Sequence, residues 1–399
     1  MKILIDLIGT QPKNFNVVSG GAEYVKAAFF FLAARKTESD SLYVALLRNG
    51  RTDQEILDFL KENKAIVVLW IENPEHYQTV LNQGHFETVV CGLNNNFYNS
   101  IKIPDGTRFV LTEHGLRRIE TKIDKWYYDT EKPNIRTFVK YILSRFFPKI
   151  YLHIAIKTRE SQFKIAKDLE VFTSSYHSKS ALLLYYPYLN GRIHMAYPPM
   201  KVTNRAVIDP SFLHKFNLSP KSYILMICGN RGEKNCLRGA VALDRLASDK
   251  LIPPNILFVI LGVKNKRNYL RKLKNKTRFL FLGFVSSDDL ELLYQYAHLF
   301  LYPTVNEGFG YPPLEAMKYH TIAAVSAITS LPEVCQNSVL YFDPYNICEI
   351  EERVIQSFDS AYVDCVSTHI DDVLEYVMKQ QSAGLKELQE VVYYKRNTK

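Results

Sequence analysis

The sequence predicts an α/β protein of two doubly wound domains facing a cleft. Three observations carry that reading. Short β-rich apolar runs alternate with helical patterns, which implies parallel sheets covered by helices on both faces. The alternation restarts near residue 200, after "YPPMKVTN". At 399 residues the chain can form two domains that each bury a full core.

In the first half the strand-like runs are, in order, "KILIDLI", "SLYVALL", "AIVVLWI", "ETVVCGL", "RFVLTEH", "VFTSS" and "IHMAY". Helical patterns lie between several of them, among them Ala22–Arg35 and Asp53–Asn63. Residues 116–167 lack clear strands and are expected to be a helical insertion in the first domain. In the second half the runs are "YILMICG", "NILFVILG", "RFLFLGFV", "HLFLYPT", "TIAAVSA" and "VLYFDP". Helical patterns such as Leu237–Ala247 and Asp288–Ala297 separate them. Asp371–Lys399 is strand-poor and reads as helical. The expected division is 1–198, 199–372 and a helical segment 373–399 that packs back toward the first domain. Ligands in such folds bind at the C-terminal ends of the strands.

Composition narrows the class. Hydrophobic residues make up 47% and charged residues 23%, without low-complexity tracts, so large-scale disorder is not expected. The longest apolar run near the N-terminus, Ala27–Ala34, is far below the roughly 18 residues that span a bilayer. No cleavage site is seen after "MKILIDLIGT", and a soluble cytoplasmic protein is expected. The 6 cysteines are scattered without a CxxC pair, which argues against disulfides and structural zinc. Net charge is +9. Leu116–Lys167 holds 13 Lys/Arg and 5 Asp/Glu, a balance of 13 − 5 = +8, so the rest of the chain carries 9 − 8 = +1. This basic, aromatic-rich segment suits an anionic membrane surface or a phosphorylated substrate. A solvated basic face around core aromatics is an equal alternative. No nucleic-acid-binding module is present, so nucleic acid is not an expected partner.

One stretch carries chemistry. "VNEGFGYPPLEAM", Val305–Met317, comes after the strand-like "LFLYPT" and sets Glu307 and Glu315 eight residues apart. Gly308 and Gly310 let backbone amides approach a ligand with no Cβ in the way. Pro312 or Pro313 can start a helix, whose N-terminus favours phosphate. Carboxylates bind vicinal hydroxyls well. The stretch can therefore hold a diphosphate flanked by two polyols, which describes a nucleotide sugar. The plainer alternative is an acid offsetting a helix dipole, with the prolines as punctuation. Spacing alone leaves both open.

"EGFGYPPLEAM" resembles the E-x7-E signature of retaining GT-B glycosyltransferases of the family 4 type. Other segments agree in the same order. "VVSGGAEYV" resembles the glycine-rich loop after the first strand, and "LTEHG" the histidine-bearing loop. "VFTSSYHSKSALLLYY" resembles the last strand and helix of the first domain. "YILMICGNRGEKN" resembles the first strand of the second domain and its phosphate-binding loop. "SLPEV" and "VLYFDP" resemble the family's segments beyond the E-x7-E helix. Two features depart from the family pattern. His320 and Ile322 stand where relatives usually carry Gly and Pro. The family spaces its Arg and Lys about five apart, whereas Arg231 and Lys234 are three apart.

The resemblance implies roles. Glu315 would accept from ribose hydroxyls, and Glu307 would contact the donor sugar. Gly308, Phe309 and Gly310 would add backbone contacts. Lys234 with Arg231 would neutralise the departing diphosphate, in place of a metal. Gly20 and Gly21 would let the first domain's backbone approach the phosphates or acceptor, and His114 would reach the sugar near the reacting carbon. The expected activity is retaining, metal-independent transfer from a UDP- or GDP-sugar to a glycan, lipid-linked or polymer acceptor, with no cofactor. A lipid-linked acceptor would place the protein peripherally at the inner face of the membrane.

Blander readings stand beside these. Gly20–Gly21 could be a turn, His114 a satisfied core histidine, and Lys234 a solvated helix-start lysine. Asp6 and Glu113 are weaker candidates near the same edge. A glycosidase-like carboxylate pair fits poorly, since both glutamates would come from one domain. The alternative function is a sugar-nucleotide-binding protein without transferase activity.

Overall fold

The computed structural model describes residues 1–11, 20–93, 95–130, 135–200, 211–229, 231–263 and 265–394. Part of the glycine-rich loop (Val17–Ser19), Asn230 and the start of the connection after "YPPM" lie outside the described residues.

Each strand-like run contains a strand or, in the case of "VFTSS", the end of one. In the first half these are β1 (Lys2–Asp6), β2 (Ser41–Leu47), β3 (Val67–Ile71), β4 (Thr88–Cys91), β5 (Arg108–Glu113), β6 (Asp168–Thr173) and β7 (Ile193–Met195). The second half supplies β8 (Tyr223–Ile227), β9 (Leu257–Leu261), β10 (Phe279–Leu282), β11 (Leu299–Tyr302), β12 (Ala323–Ser326) and β13 (Leu340–Phe342). Among the described residues they form two sheets, ordered β3-β2-β1-β4-β5-β6-β7 and β10-β9-β8-β11-β12-β13. All their pairings are parallel. The central strands β4, β5, β11 and β12 are buried along their whole length, as strands covered on both faces must be. The fold class is therefore the expected one: α/β, with two Rossmann-like doubly wound units.

The strand order places the sites. Each sheet starts in its middle and reverses there, at β1/β4 and at β8/β11. Neighbouring connections at such a point run to opposite faces and leave a crevice beyond the strand ends. The loops carrying Lys234 and Glu307 leave β8 and β11. The helix Gly20–Ala33 comes after β1, and His114 immediately follows β5.

The units are not the sequence division. One comprises Met1–Leu116, Ile154–Lys201 and Met378–Lys399; the other comprises Arg117–His153 and Val202–Val377. The basic segment expected wholly within the first domain is thus divided, and its first part belongs to the second unit. Specific pairs hold it there. Asp124 is ion-paired with Arg238, and Asp129 with Lys272 at 3.1 Å. The Trp126 ring lies 5.5 Å from the Arg238 guanidinium and 5.4 Å from the Lys272 ammonium. Trp126 also packs against the second unit's core.

The chain from Met378 belongs to the first unit. Gln381 Nε2 donates to the Pro198 carbonyl at 2.8 Å. Leu388 and Val392 enter that unit's core beside Ile3, Phe29 and Phe172. A Cβ on Gly384 would sit 2.5 Å from the Ala196 Cα, so the helix crosses that backbone closely.

The turn lacking the family's Gly and Pro closes on His320. Its φ is 51°, the left-handed region that glycine takes most easily. His320 N–H donates to Met317 O at 2.9 Å, and Thr321 N–H to Ala316 O at 3.2 Å. This is a Schellman cap with histidine in the glycine position.

Candidate active site

The second unit's site is built from the residues just past β8 and β11. Glu307 is nearly buried, with its carboxylate 11% exposed. Its Oε1 accepts from Lys234 Nζ at 2.6 Å, from Tyr302 OH at 2.8 Å and from Thr304 Oγ1 at 2.8 Å. Burial pushes the carboxyl pKa up, but Lys234, Arg231 and Arg117 outweigh it and bring it down to about 2. Glu307 is therefore ionised at neutral pH.

Lys234 closes a single 3-10 turn, Gly232–Lys234, between β8 and the helix Cys236–Ser248. Its ammonium is buried, hydrogen-bonded to Tyr302 OH and 4.7 Å from that ring's centroid. Burial lowers its pKa, and Glu307 opposes that shift. Lys234 is not the solvated helix-start lysine of the blander reading. Arg231 stands at the mouth, 44% exposed, 3.7 Å from Glu233 Oε1. Glu233 ties the two loops together: its carbonyl accepts from Val305 N–H at 2.8 Å and from Thr304 Oγ1 at 3.0 Å.

The glycine segment is braced from behind. Ser330 Oγ donates to the carbonyls of Glu307 at 3.1 Å and Phe309 at 2.8 Å. Gly310 has φ 106°, and a Cβ there would lie 2.5 Å from Leu331 Cδ2. Phe309 is buried, its ring against Tyr311. The helix Tyr311–Met317 carries the proline pair in its first turn and spans 7 residues. Glu315 lies on it with a different partner from Glu307: its Oε2 accepts from the buried Tyr294 OH at 2.9 Å.

The first unit holds the other candidates. His114 Nε2 donates to the Gly92 carbonyl at 2.7 Å, and Tyr24 meets the ring edge-on at 5.4 Å between centroids. Gly20 and Gly21 open the helix Gly20–Ala33. A Cβ on Gly21 would sit 3.0 Å from Leu93 Cδ1 and 3.5 Å from the His114 ring, so this glycine and histidine adjoin. Asp6 is buried, accepting from Ile8 N–H at 2.8 Å and Tyr98 OH at 2.6 Å, and burial pushes its pKa up to about 6. Glu113 pairs with Arg159 at 3.1 Å.

Reading the sequence did not single out Tyr302, Thr304 or Glu233. A signal existed for two of them. Tyr302 ends the apolar strand β11 and Thr304 lies two residues beyond it, so two hydroxyls stand together where the Glu307 loop begins. Among the described residues, no group of His, Cys, Asp and Glu is arranged to hold a metal ion.

A second surface lies on the basic segment. The helix Ile135–Phe146 buries none of its residues. Ile135, Phe138 and Val139 are exposed on it, one helical face by spacing. Phe146, Phe147 and Ile150 are exposed around the turn into the helix Pro148–Phe163. Arg136, Lys140, Arg145 and Lys149 are exposed among them. Residues 135–153 contain no Asp or Glu. No helix of the described residues is long and apolar enough to cross a membrane.

Residues 214–361 match the family model described as Glycosyl transferases group 1. The chain is 42% identical over 162 residues to the serotype-specific mannosyltransferase WbdA of Escherichia coli, covering 38% of this chain and 20% of that protein. It is 28% identical over 215 residues to the O-antigen chain mannosyltransferase RfbU of Salmonella typhimurium, covering 53% and 55%. Matches of this kind span from 10% to 55% of the curated relatives' length. Among solved structures, WaaG, a glycosyltransferase involved in lipopolysaccharide biosynthesis, superimposes with TM-score 0.63 at 14% identity, over 98% of this chain and 100% of that one. Anabaena HepE in complex with UDP-glucose gives the same TM-score of 0.63 at 14% identity, over 98% and 100%. At such identities the likeness is one of fold.

Proposed function

We propose, from the match of residues 214–361 to the group 1 glycosyl transferase model, that this chain moves a sugar from a nucleoside-diphosphate donor to a glycan acceptor. The observation that carries this is the ionised Glu307 bonded to the buried Lys234, beside the half-exposed Arg231. A buried cation beside a surface guanidinium at a strand-order reversal suits a diphosphate leaving group. Glu307 is placed to hold sugar hydroxyls, and Glu315 the ribose. His114 would reach the sugar near the reacting carbon, and the Gly20–Gly21 helix start would approach the phosphates or the acceptor. The names of WbdA and RfbU make mannose the first sugar to try and a bacterial polysaccharide the first acceptor class.

The finer features belong to the same proposal. Transfer proceeds with retention at the anomeric carbon and without a divalent metal, because Lys234 and Arg231 supply the charge a metal would bring. No cofactor takes part beyond the UDP- or GDP-sugar. The exposed apolar and basic surface around Phe146 and Phe147 supports contact with an anionic membrane, and so a lipid-linked acceptor and a peripheral position at the membrane's inner face.

A thermal-shift screen of UDP-, GDP- and ADP-sugars tests the donor reading, since a ligand of the folded state raises its apparent stability. No shift with any of them would reject it. Slow hydrolysis of the donor without acceptor separates a transferase from a protein that only binds sugar nucleotides. NMR of the product's anomeric configuration tests retention.

Glu315 offers a sharper check. Glu315→Gln keeps an oxygen to accept from Tyr294 but removes the charge offered to the ribose. Donor affinity is expected to fall by about 1.5–3 kcal/mol, the range for hydrogen bonds to a charged group. Calorimetric titration measures it, and wild-type affinity in the folded variant removes Glu315 from the donor site.

A further inference from the structure

The basic segment reaches the donor loops. Its first helical turn, Arg117–Glu120, is clamped at both ends. Arg117 Nη1 lies 2.9 Å from Glu233 Oε1, and Glu120 Oε2 accepts from Asn306 Nδ2 at 3.4 Å. Residues three apart share a helix face. Glu233 immediately precedes Lys234, and Asn306 immediately precedes Glu307. The turn therefore seats on the two residues flanking the buried ion pair. The next helix, Lys125–Thr130, closes from the side: a Cβ on Gly232 would lie 2.8 Å from the Tyr127 ring.

Two arginines share one buried carboxylate oxygen. Glu233 Oε1 is 2.9 Å from Arg117 and 3.7 Å from Arg231. The Glu233 side chain is 5% exposed, while those of Arg117 and Arg231 are 46% and 44% exposed. A guanidinium has five N–H donors in a fork, so one oxygen can orient it without exhausting it. Arg117, Arg231 and Lys234 stand with Glu233, Glu307 and, at the other end of the turn, Glu120, so the cluster is balanced. The two guanidiniums are its exposed cations, while Lys234 is buried.

We propose that Arg117 is a phosphate-binding residue of the donor site, supplied by the inserted segment. It provides a second guanidinium where the short Arg231–Lys234 spacing departs from the family's wider one. Glu233 serves as the positioning residue that holds both arginines toward the diphosphate. The proposal rests on the donor reading above and adds a residue from outside the matched region 214–361.

The test measures binding of UDP and GDP, and of uridine and guanosine, to the full chain by calorimetry. Arg117→Ala is expected to weaken the bound nucleoside diphosphate by about tenfold to a hundredfold, the range for one charge-assisted bond. Nucleoside affinity should stay unchanged, because a nucleoside carries no phosphate. Arg117→Lys should recover part of the loss. Arg118→Ala removes the same charge from the adjacent exposed residue and should have little effect. Thermal unfolding confirms that each variant is folded. An equal loss for nucleoside and diphosphate would show that Arg117 only braces the loop, and would overturn the proposal. So would an equal loss in Arg118→Ala, or wild-type diphosphate affinity in Arg117→Ala. If the wild-type chain binds neither UDP nor GDP, the donor reading falls and this proposal with it.

Discussion

The Lys234→Ala variant is expected to turn over about 10²–10³-fold more slowly, with a smaller change in KM. That is the usual loss on removing one donor aimed at developing transition-state charge. Negative charge grows on the diphosphate as the sugar leaves, and Lys234 is the buried cation of the site. A buried donor already in place does not have to be reorganised from water as the bond breaks. Its removal also strips the nearest cation from Glu307, whose pKa must then rise from about 2, because burial is no longer opposed as strongly. Lower thermal stability is therefore expected as well, and kcat must be read well below the unfolding temperature. Lys234→Arg keeps the charge while changing its shape. Its rate should fall between wild type and Lys234→Ala if charge is what counts. EDTA should leave wild-type turnover intact. A loss in chelator that Mg²⁺ or Mn²⁺ restores would assign the leaving-group charge to a metal, and Lys234 would keep only its hold on Glu307.

Legibility in the sequence tracked the range of the interactions. Parallel strands buried on both faces read as continuous apolar runs, so "ETVVCGL" and "HLFLYPT" announced β4 and β11 without any knowledge of their neighbours. Glu307 and Lys234 were legible because glycines, prolines and a short basic loop surround them in a recognisable order. The chain's charge count misled about residues 116–167. It marked them as a basic surface in the first domain, yet Asp124 and Asp129 are what anchor the segment, through Arg238 and Lys272 of the second unit. Partners more than a hundred residues apart leave no trace in local spacing. For the same reason Arg117 looked like one more surface cation. His114 showed a different limit. Its position after β5 was readable, but the bond to the Gly92 carbonyl depends on the packing of β4 beside β5.

Binding to anionic vesicles is expected at low salt, to fall steeply as salt rises, and to be lost when Arg136, Lys140, Arg145 and Lys149 are replaced by Ser. Each cation near an anionic surface contributes about 1 kcal/mol, so the four together are worth about 4 kcal/mol, or roughly a thousandfold in partition. The effect fades beyond a Debye length of about 10 Å at 0.1 M salt. All four side chains are exposed on the stretch that also exposes Phe146 and Phe147, so charge and apolar groups can meet the same interface. The helix behind them is held by Tyr141 stacked on Tyr128 at 5.3 Å, which leaves the outward residues replaceable without loss of fold. Phe146→Ser with Phe147→Ser separates the two contributions. It should weaken binding while leaving the salt dependence of what remains unchanged, because apolar burial is not screened. Uncharged vesicles should bind the wild-type protein far more weakly than anionic ones. UDP and GDP affinity should be the same in all these variants, since the replaced side chains are exposed on the surface of this segment. If the wild-type protein ignores anionic vesicles at low salt, the membrane reading fails. The charge on residues 135–150 is then better assigned to a soluble acidic or phosphorylated acceptor.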